Sequence, residues 1–276
     1  MPKLPEGILN NVFYLYDTAE NALEGKKIGG TGFFIGQHTG IDTFNLYAIT
    51  NNHVAIKGNS PKIRLNKNDG STDVLDLSID DWRSDDDDIA ITGPLELSND
   101  IYDFSFMPSS YLVDQSDKKR LEIGPGDDVF MVGRFVDHDG GITNTPSVRF
   151  GNISVDPMPI KQTSGYMGDS YVIDIRSRSG YSGSPVFIYR TPASYLEAQM
   201  KISSGEGDFV SGGSFCMVLG IHWGQFPETW QLKTNSCDAD FENQVLLTDG
   251  SYVQGLSGMT TVIPAWKIQD LIRNKG

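Results

Sequence analysis

Short apolar or alternating runs, each bounded by Gly, Asn or Asp, recur from one end of the chain to the other. Val12-Phe13-Tyr14-Leu15-Tyr16, Gly32-Phe33-Phe34-Ile35-Gly36, Asn45-Leu46-Tyr47-Ala48-Ile49-Thr50 and Lys62-Ile63-Arg64-Leu65 are the early ones. Ile89-Ala90-Ile91-Thr92, Asp128-Val129-Phe130-Met131-Val132-Gly133 and Val148-Arg149-Phe150-Gly151-Asn152-Ile153 follow. Tyr171-Val172-Ile173-Asp174-Ile175, Pro185-Val186-Phe187-Ile188-Tyr189 and Met217-Val218-Leu219-Gly220-Ile221 complete the series. Many short strands separated by turn residues predict a sandwich or barrel. Only 193–200 and the C-terminal segment Pro264-Ala265-Trp266-Lys267-Ile268-Gln269-Asp270-Leu271-Ile272 read as helical. In the latter a proline suits the first turn, and Ile268, Leu271 and Ile272 share a face. Gly93-Pro94 and Gly124-Pro125-Gly126 bracket a mixed stretch between Ile91 and Asp128, a plausible boundary between two β-units.

The run Ser179-Gly180-Tyr181-Ser182-Gly183-Ser184-Pro185 sets a serine between glycines, where a tight turn can expose the hydroxyl and aim backbone N–H groups at one spot. By itself such a run is more often a surface turn. Upstream stand His53, one of four histidines, at an apolar strand end, and Asp88, the last acid of Asp85-Asp86-Asp87-Asp88, just before an apolar strand. His, Asp, Ser is one of the orders in which a nucleophilic triad occurs. A serine hydroxyl needs a base within hydrogen-bond reach, and the base needs an orienting acceptor. His53 fits the base and Asp88 the orienter, which together predict acyl transfer, peptide hydrolysis first of all. The N–H groups of Gly180 and Ser182 are the candidate oxyanion donors. The aspartate run lacks the alternating ligand spacing of a calcium loop, so no metal is expected, and no cofactor.

The formal net charge of −14 repels nucleic acid and anionic membranes, so neither is an expected partner. No apolar stretch approaches the ~20 residues of a membrane helix. The N-terminus shows no secretory h-region, which predicts a cytoplasmic protein. Cys216 and Cys237 could pair, but two cysteines do not make a disulfide scaffold, and reduced thiols suit that compartment.

Taken together, these motifs resemble the trypsin-like (chymotrypsin-fold) serine proteases of bacterial type. Gly30-Thr31-Gly32-Phe33-Phe34-Ile35, Ile49-Thr50-Asn51-Asn52-His53-Val54 and Asp88-Ile89-Ala90-Ile91 are similar to HtrA-type segments, as is Asp174 standing eight before Ser182. The Gly-x-Ser-Gly-Ser-Pro-Val run with Gly220-Ile221-His222-Trp223-Gly224 is closer to the glutamyl endopeptidases. The resemblance implies an all-β fold, two six-stranded β-barrels of the chymotrypsin type with a C-terminal helix. It implies one protease domain over 1–276, with barrels at about 10–110 and 120–260 and the helix at about 264–274. The implied triad is His53, Asp88 and Ser182. No PDZ module is expected after the C-terminal helix. Tyr181 stands where digestive members keep an aspartate that pairs with a freed N-terminus, which argues against activation by N-terminal cleavage. Ser184 replaces the second glycine of the commoner ending.

The resemblance places the substrate-binding wall at Ser177, His222, Trp223 and Gly224, with Ser177 and His222 matching the carboxylate-binding positions of the glutamyl group. Acidic P1 residues are the expected preference; Arg176 and Arg178 would strengthen it or simply face solvent. The expected partner is a protein or peptide substrate. The segment 190–215 is longer than a hairpin requires and reads either as a tolerated insertion or as a surface for a regulatory partner. Two rival readings stand beside the protease. One is a protease-fold binding or regulatory module without turnover. The other is an α/β-hydrolase esterase, which the chain order and the lack of alternating helices disfavour.

Overall fold

The computed structural model describes residues 3–40, 43–134, 141–175, 180–191, 215–231 and 252–273. Two β-units follow one another. The first holds β1 (Val12–Tyr16), β2 (Ile28–Gly40), β3 (Thr43–Thr50), β4 (Lys62–Asn66), β5 (Thr72–Leu75), β6 (Arg83–Ser84), β7 (Ala90–Leu95) and β8 (Met107–Pro108). Its strands pair in the order β5-β4-β1-β2-β3-β7-β6, with β8 parallel to β2. The second unit is a closed six-stranded barrel, β10-β11-β14-β13-β12-β9. Its strands are β9 (Asp128–Gly133), β10 (Ser147–Lys161), β11 (Met167–Asp174), β12 (Pro185–Arg190), β13 (Phe215–Gln231) and β14 (Tyr252–Pro264). The all-β architecture of two successive units with a C-terminal helix holds. The first unit differs from a closed six-stranded ring in having eight strands and an unpaired seam between β5 and β6, where the 3-10 turn Ile79–Asp81 intervenes.

The near-continuous apolar runs have a simple cause. Side chains alternate between the two faces of a strand, and here both faces are covered. In β1, Val12, Tyr14 and Tyr16 enter a cluster shared by both units, while Phe13 and Leu15 fill the core of the first. In β9, Phe130 and Val132 join the shared cluster and Val129 and Met131 the core of the barrel; β12 divides Phe187 and Ile188 in the same way.

Among the described residues four short helices, α1 (Glu6–Leu9), α2 (Ala19–Glu24), α3 (Asn52–Ala55) and α4 (Gln115–Arg120), precede the C-terminal α5 (Ala265–Arg273). α5 buries Ala265, Ile268, Leu271 and Ile272, as its periodicity predicts. The other predicted helix, 193–200, lies outside the described residues, as does most of 190–215. None of the helices among the described residues is long and apolar enough to cross a membrane. Arg64 is a wholly internal charged group. Arg64 on β4 donates to Asn144 Oδ1 (2.8 Å), Ala22 O (3.0 Å), Gly141 O (2.8 Å) and Thr143 O (3.1 Å), with its guanidinium 4.9 Å from the Tyr16 ring centroid. It ties the first unit to the connection between β9 and β10 of the barrel.

Candidate active site

His53 stands on α3, one helical turn beyond β3, rather than on the strand itself. Val54 and Ala55 are buried and anchor the turn. Its orphan N–H groups are taken up by Asp88. The backbone N–H of His53 donates to Asp88 Oδ1 (2.9 Å), that of Asn52 donates to Asp88 O (3.4 Å), and Asn51 Nδ2 donates to the same carbonyl (2.8 Å). His53 Nδ1 lies 2.5 Å from Asp88 Oδ2. The carboxylate is fully buried, whereas 24% of the His53 side chain remains exposed. Because the carboxylate only accepts, Nδ1 carries the proton and Nε2 is left as the basic face of the ring.

Ser182 occupies the turn before β12. Gly180 and Gly183 flank it at φ 93° and 85°, a region that a Cβ disfavours. A Cβ at Gly183 would also fall 1.9 Å from Thr31 O, so the turn closes onto β2 only with glycine there. Thr31 holds the turn from the other side: its N–H donates to Ser182 O (2.9 Å) and its hydroxyl to Gly180 O (2.7 Å). The N–H groups of Gly180 and Ser182 have no acceptor among the described residues. Tyr181 points the other way, fully buried, where its hydroxyl meets Ser147 Oγ and receives Arg149 Nε (3.1 Å). Ser184 is buried against Gly133. His53 and Asp88 are thus joined directly, and Ser182 is seated against Gly30 and Thr31 of the strand that also touches Val54. No hydrogen bond links Ser182 to His53 among the described residues. Catalytic hydrogen bonds in unliganded sites are often long and tighten with substrate.

Of the expected substrate wall, Ser177 lies outside the described residues, with Arg176 and Arg178. His222 is buried, with Nδ1 3.0 Å from Tyr181 O and Nε2 2.6 Å from Thr260 Oγ1. The carbonyl only accepts, so Nδ1 donates to it, while the Thr260 hydroxyl lies against both Nε2 and Gly224 O and has one proton to share between them. Burial pushes the His222 imidazole down to about 4, and the nearby His53 adds to the effect. Trp223 is buried and donates Nε1 to Ser170 Oγ (3.1 Å), and Gly224 O accepts from Thr261 Oγ1 (3.1 Å). Cys216 on β13 is half-buried, and burial raises its thiol to about 11; Cys237 lies outside the described residues.

Sequence reasoning missed the β10–β11 hairpin. Thr163 Oγ1 donates to Asp88 Oδ2 (2.5 Å) and lies 3.2 Å from His53 Nδ1. Gln162 Oε1 accepts from the backbone N–H of Asp88 (2.8 Å). Lys161-Gln162-Thr163-Ser164-Gly165 carries only a turn signal, and nothing local says that its tip reaches the other unit.

Comparison with solved structures returns the same architecture. The MamO protease domain from Magnetospirillum magneticum in its apo form is 14% identical, with a TM-score of 0.55; the match covers 97% of this chain and 98% of that one. The HtrA-type protease AlgW with decapeptide is 17% identical over 90% of this chain and 53% of its own, with a TM-score of 0.48. The inactive form of the Rv3671c protease of M. tuberculosis is 16% identical over 98% and 90%, with a TM-score of 0.44. At such identities the likeness is one of fold. No curated protein matches the sequence. The trypsin-like peptidase domain family matches residues 30–191, more than half of the chain and the whole span from β2 through the Ser182 turn, so the chain belongs to the trypsin-like peptidase domain family.

Proposed function

We propose that this chain is a serine endopeptidase in which Ser182 is the nucleophile, His53 the general base and Asp88 its orienter. The observation that carries the reading is the pair of bonds from one buried carboxylate to His53, one to Nδ1 and one to the backbone N–H. They fix the ring with Nδ1 donating, which leaves Nε2 as the nitrogen to take up a proton. Ser182 Oγ attacks the scissile carbonyl as its proton passes to Nε2, and the N–H groups of Gly180 and Ser182 receive the oxyanion. Collapse expels the amine, which takes the proton back from His53, and leaves an ester on Ser182. Water, deprotonated by the same nitrogen, hydrolyses that ester.

Acidic P1 residues are the specificity half of the proposal, with Ser177, His222, Trp223 and Gly224 as the wall. A P1 carboxylate reaching His222 Nε2 meets a ring that burial keeps neutral and that already lies against the Thr260 hydroxyl, so pairing requires the ring to take up a proton. The preference for Glu over Gln at P1 should therefore weaken as pH rises. The rival reading is a silent protease-fold module, in which the Ser182 hydroxyl and His53 never come within hydrogen-bond reach.

A fluorophosphonate probe decides between them. The native chain should label and Ser182→Ala should not; no labelling of the native chain favours the silent module. Loss of a triad nucleophile typically costs ~10⁶ in turnover. Peptides differing only at P1 then test specificity, and preference for Lys, Arg or large apolar residues ends that half of the proposal.

A further inference from the structure

We propose that Gln162 is a positioning residue that sets Asp88, and through it His53, from the opposite β-unit, and that Asp87 and Lys267 extend this control to α5. The inference rests on the triad reading above.

Gln162 is buried at the end of β10. Its one carboxamide makes two bonds, accepting the backbone N–H of Asp88 at 2.8 Å and donating Nε2 to Asp87 Oδ1 at 3.3 Å. Their chemistry fixes the amide's orientation, since a peptide N–H only donates and a carboxylate only accepts. The other bonds to Asp88 come from Asn51, Asn52 and His53 of the first unit and from Thr163 beside Gln162. The barrel therefore grips the aspartate at its main chain through Gln162 and at its carboxylate through Thr163. Tilting that peptide changes which lone pair of Asp88 meets Nδ1–H.

Two further observations show that the contact is built. β11 has a glycine where any side chain would break it: a Cβ at Gly168 would fall 2.4 Å from Gln162 Nε2 and 2.8 Å from Asp87 Oδ1. Asp87 is itself buried, and its second oxygen lies 3.1 Å from Lys267 Nζ on α5. Burial works against the Lys267 ammonium, but the Asp87 hydrogen bond and the charges of Asp87, Tyr166 and Asp85 outweigh it and hold the lysine above its usual range. A chain of polar contacts thus runs Lys267, Asp87, Gln162, Asp88, His53, across three elements remote in sequence. The charged groups around His53 along this path are Asp88, Asp87, Asp85 and Lys267, with His222 on the other side.

The test measures Ser182 phosphonylation by a fluorophosphonate from pH 5 to 9 in the native chain, Gln162→Met, Lys267→Met and Gly168→Ala, with thermal midpoints recorded for each. Gln162→Met should lower the maximal labelling rate about tenfold or more, the scale of a lost hydrogen bond to a charged network. It should also displace the pH midpoint, while half-saturating probe concentration stays within about twofold, because the side chain is buried away from the cleft. Lys267→Met, at a half-exposed site that should fold whatever happens at 162, should shift rate and midpoint in the same direction by less. Native rates and midpoints in Lys267→Met and Gln162→Met overturn the proposal. So does a native Lys267→Met and Gly168→Ala should Gln162→Met fail to fold. A readout without turnover runs beside it: the low-field proton resonance of His53 Nδ1, assigned by its loss in Asp88→Asn. If the native chain does not label, the reaction reading fails alone. The positioning claim then stands or falls on whether that resonance moves in Gln162→Met and Lys267→Met.

Discussion

At the scale of single residues, the chemistry is decided by which atoms can only donate and which can only accept. Asp88 turns His53 so that Nε2 is basic, and Tyr181 O turns His222 so that its Nδ1 donates. His222 makes a pH prediction. Its folded-state value is depressed from 6.5 to about 4, so between those values the unfolded chain binds a proton that the native chain refuses. Stability from this group is whole above pH 6.5 and is lost as pH falls toward 4, by about 3 kcal/mol in total. Urea unfolding at a series of pH values should show this slope in the native chain and a shallower one in His222→Gln. Equal slopes would mean that the ring is protonated in the folded state. The triad candidates were legible at this scale because glycines around a serine, and a histidine and an aspartate beside apolar strands, are local patterns. Thr163, Gln162 and Thr260 carry no such pattern, being ordinary hydroxyls and an amide whose roles come from what they face.

At the scale of elements, period-2 alternation identified most strands, and one apolar stripe identified α5. The strands that went unread, β5, β6, β8 and most of β14, are two to four residues long or punctuated by glycines such as Gly255 and Gly258. Their pairing comes from neighbours, not from their own composition. His53 was expected at a strand end and stands on a helical turn, because Asp88 supplies acceptors for the N–H groups that such a turn exposes. α5 offers the clearest stability prediction. Ile268 is fully buried in the cluster shared by both units, so Ile268→Ala should lower unfolding free energy by about 2–4 kcal/mol and Ile268→Val by about 1. Denaturant midpoints read both. An unchanged midpoint for the alanine variant would show that the helix contributes nothing to the global transition.

At the scale of the whole molecule, two units are locked by an apolar cluster and by a few buried polar clasps. Arg64 is the largest clasp, and its removal strands Ala22 O and the Asn144 side chain in the interior and leaves the partly buried Gly141 O and Thr143 O without their donor. Orphaned buried acceptors cost about 1–3 kcal/mol each. Arg64→Met should therefore destabilise by more than about 3 kcal/mol, and Arg64→Lys should not rescue it, since an ammonium cannot span that fork of acceptors. Unfolding curves test the first claim; limited proteolysis within 141–146 should rise in both variants, and native-like resistance would refute the clasp. Local order was readable from residues alone: strand after strand, the helix at the end, the glycine-flanked serine, the histidine and the aspartate in sequence. These follow from steric limits and side-chain periodicity, which act over a few positions. What the tertiary structure alone decided is which remote groups meet: Gln162 with Asp88, Lys267 with Asp87, Thr260 with His222, Arg64 with the β9–β10 connection of the barrel. Such contacts depend on strand register and on how two barrels pack, quantities set by the summed burial of the whole core and encoded at no single site.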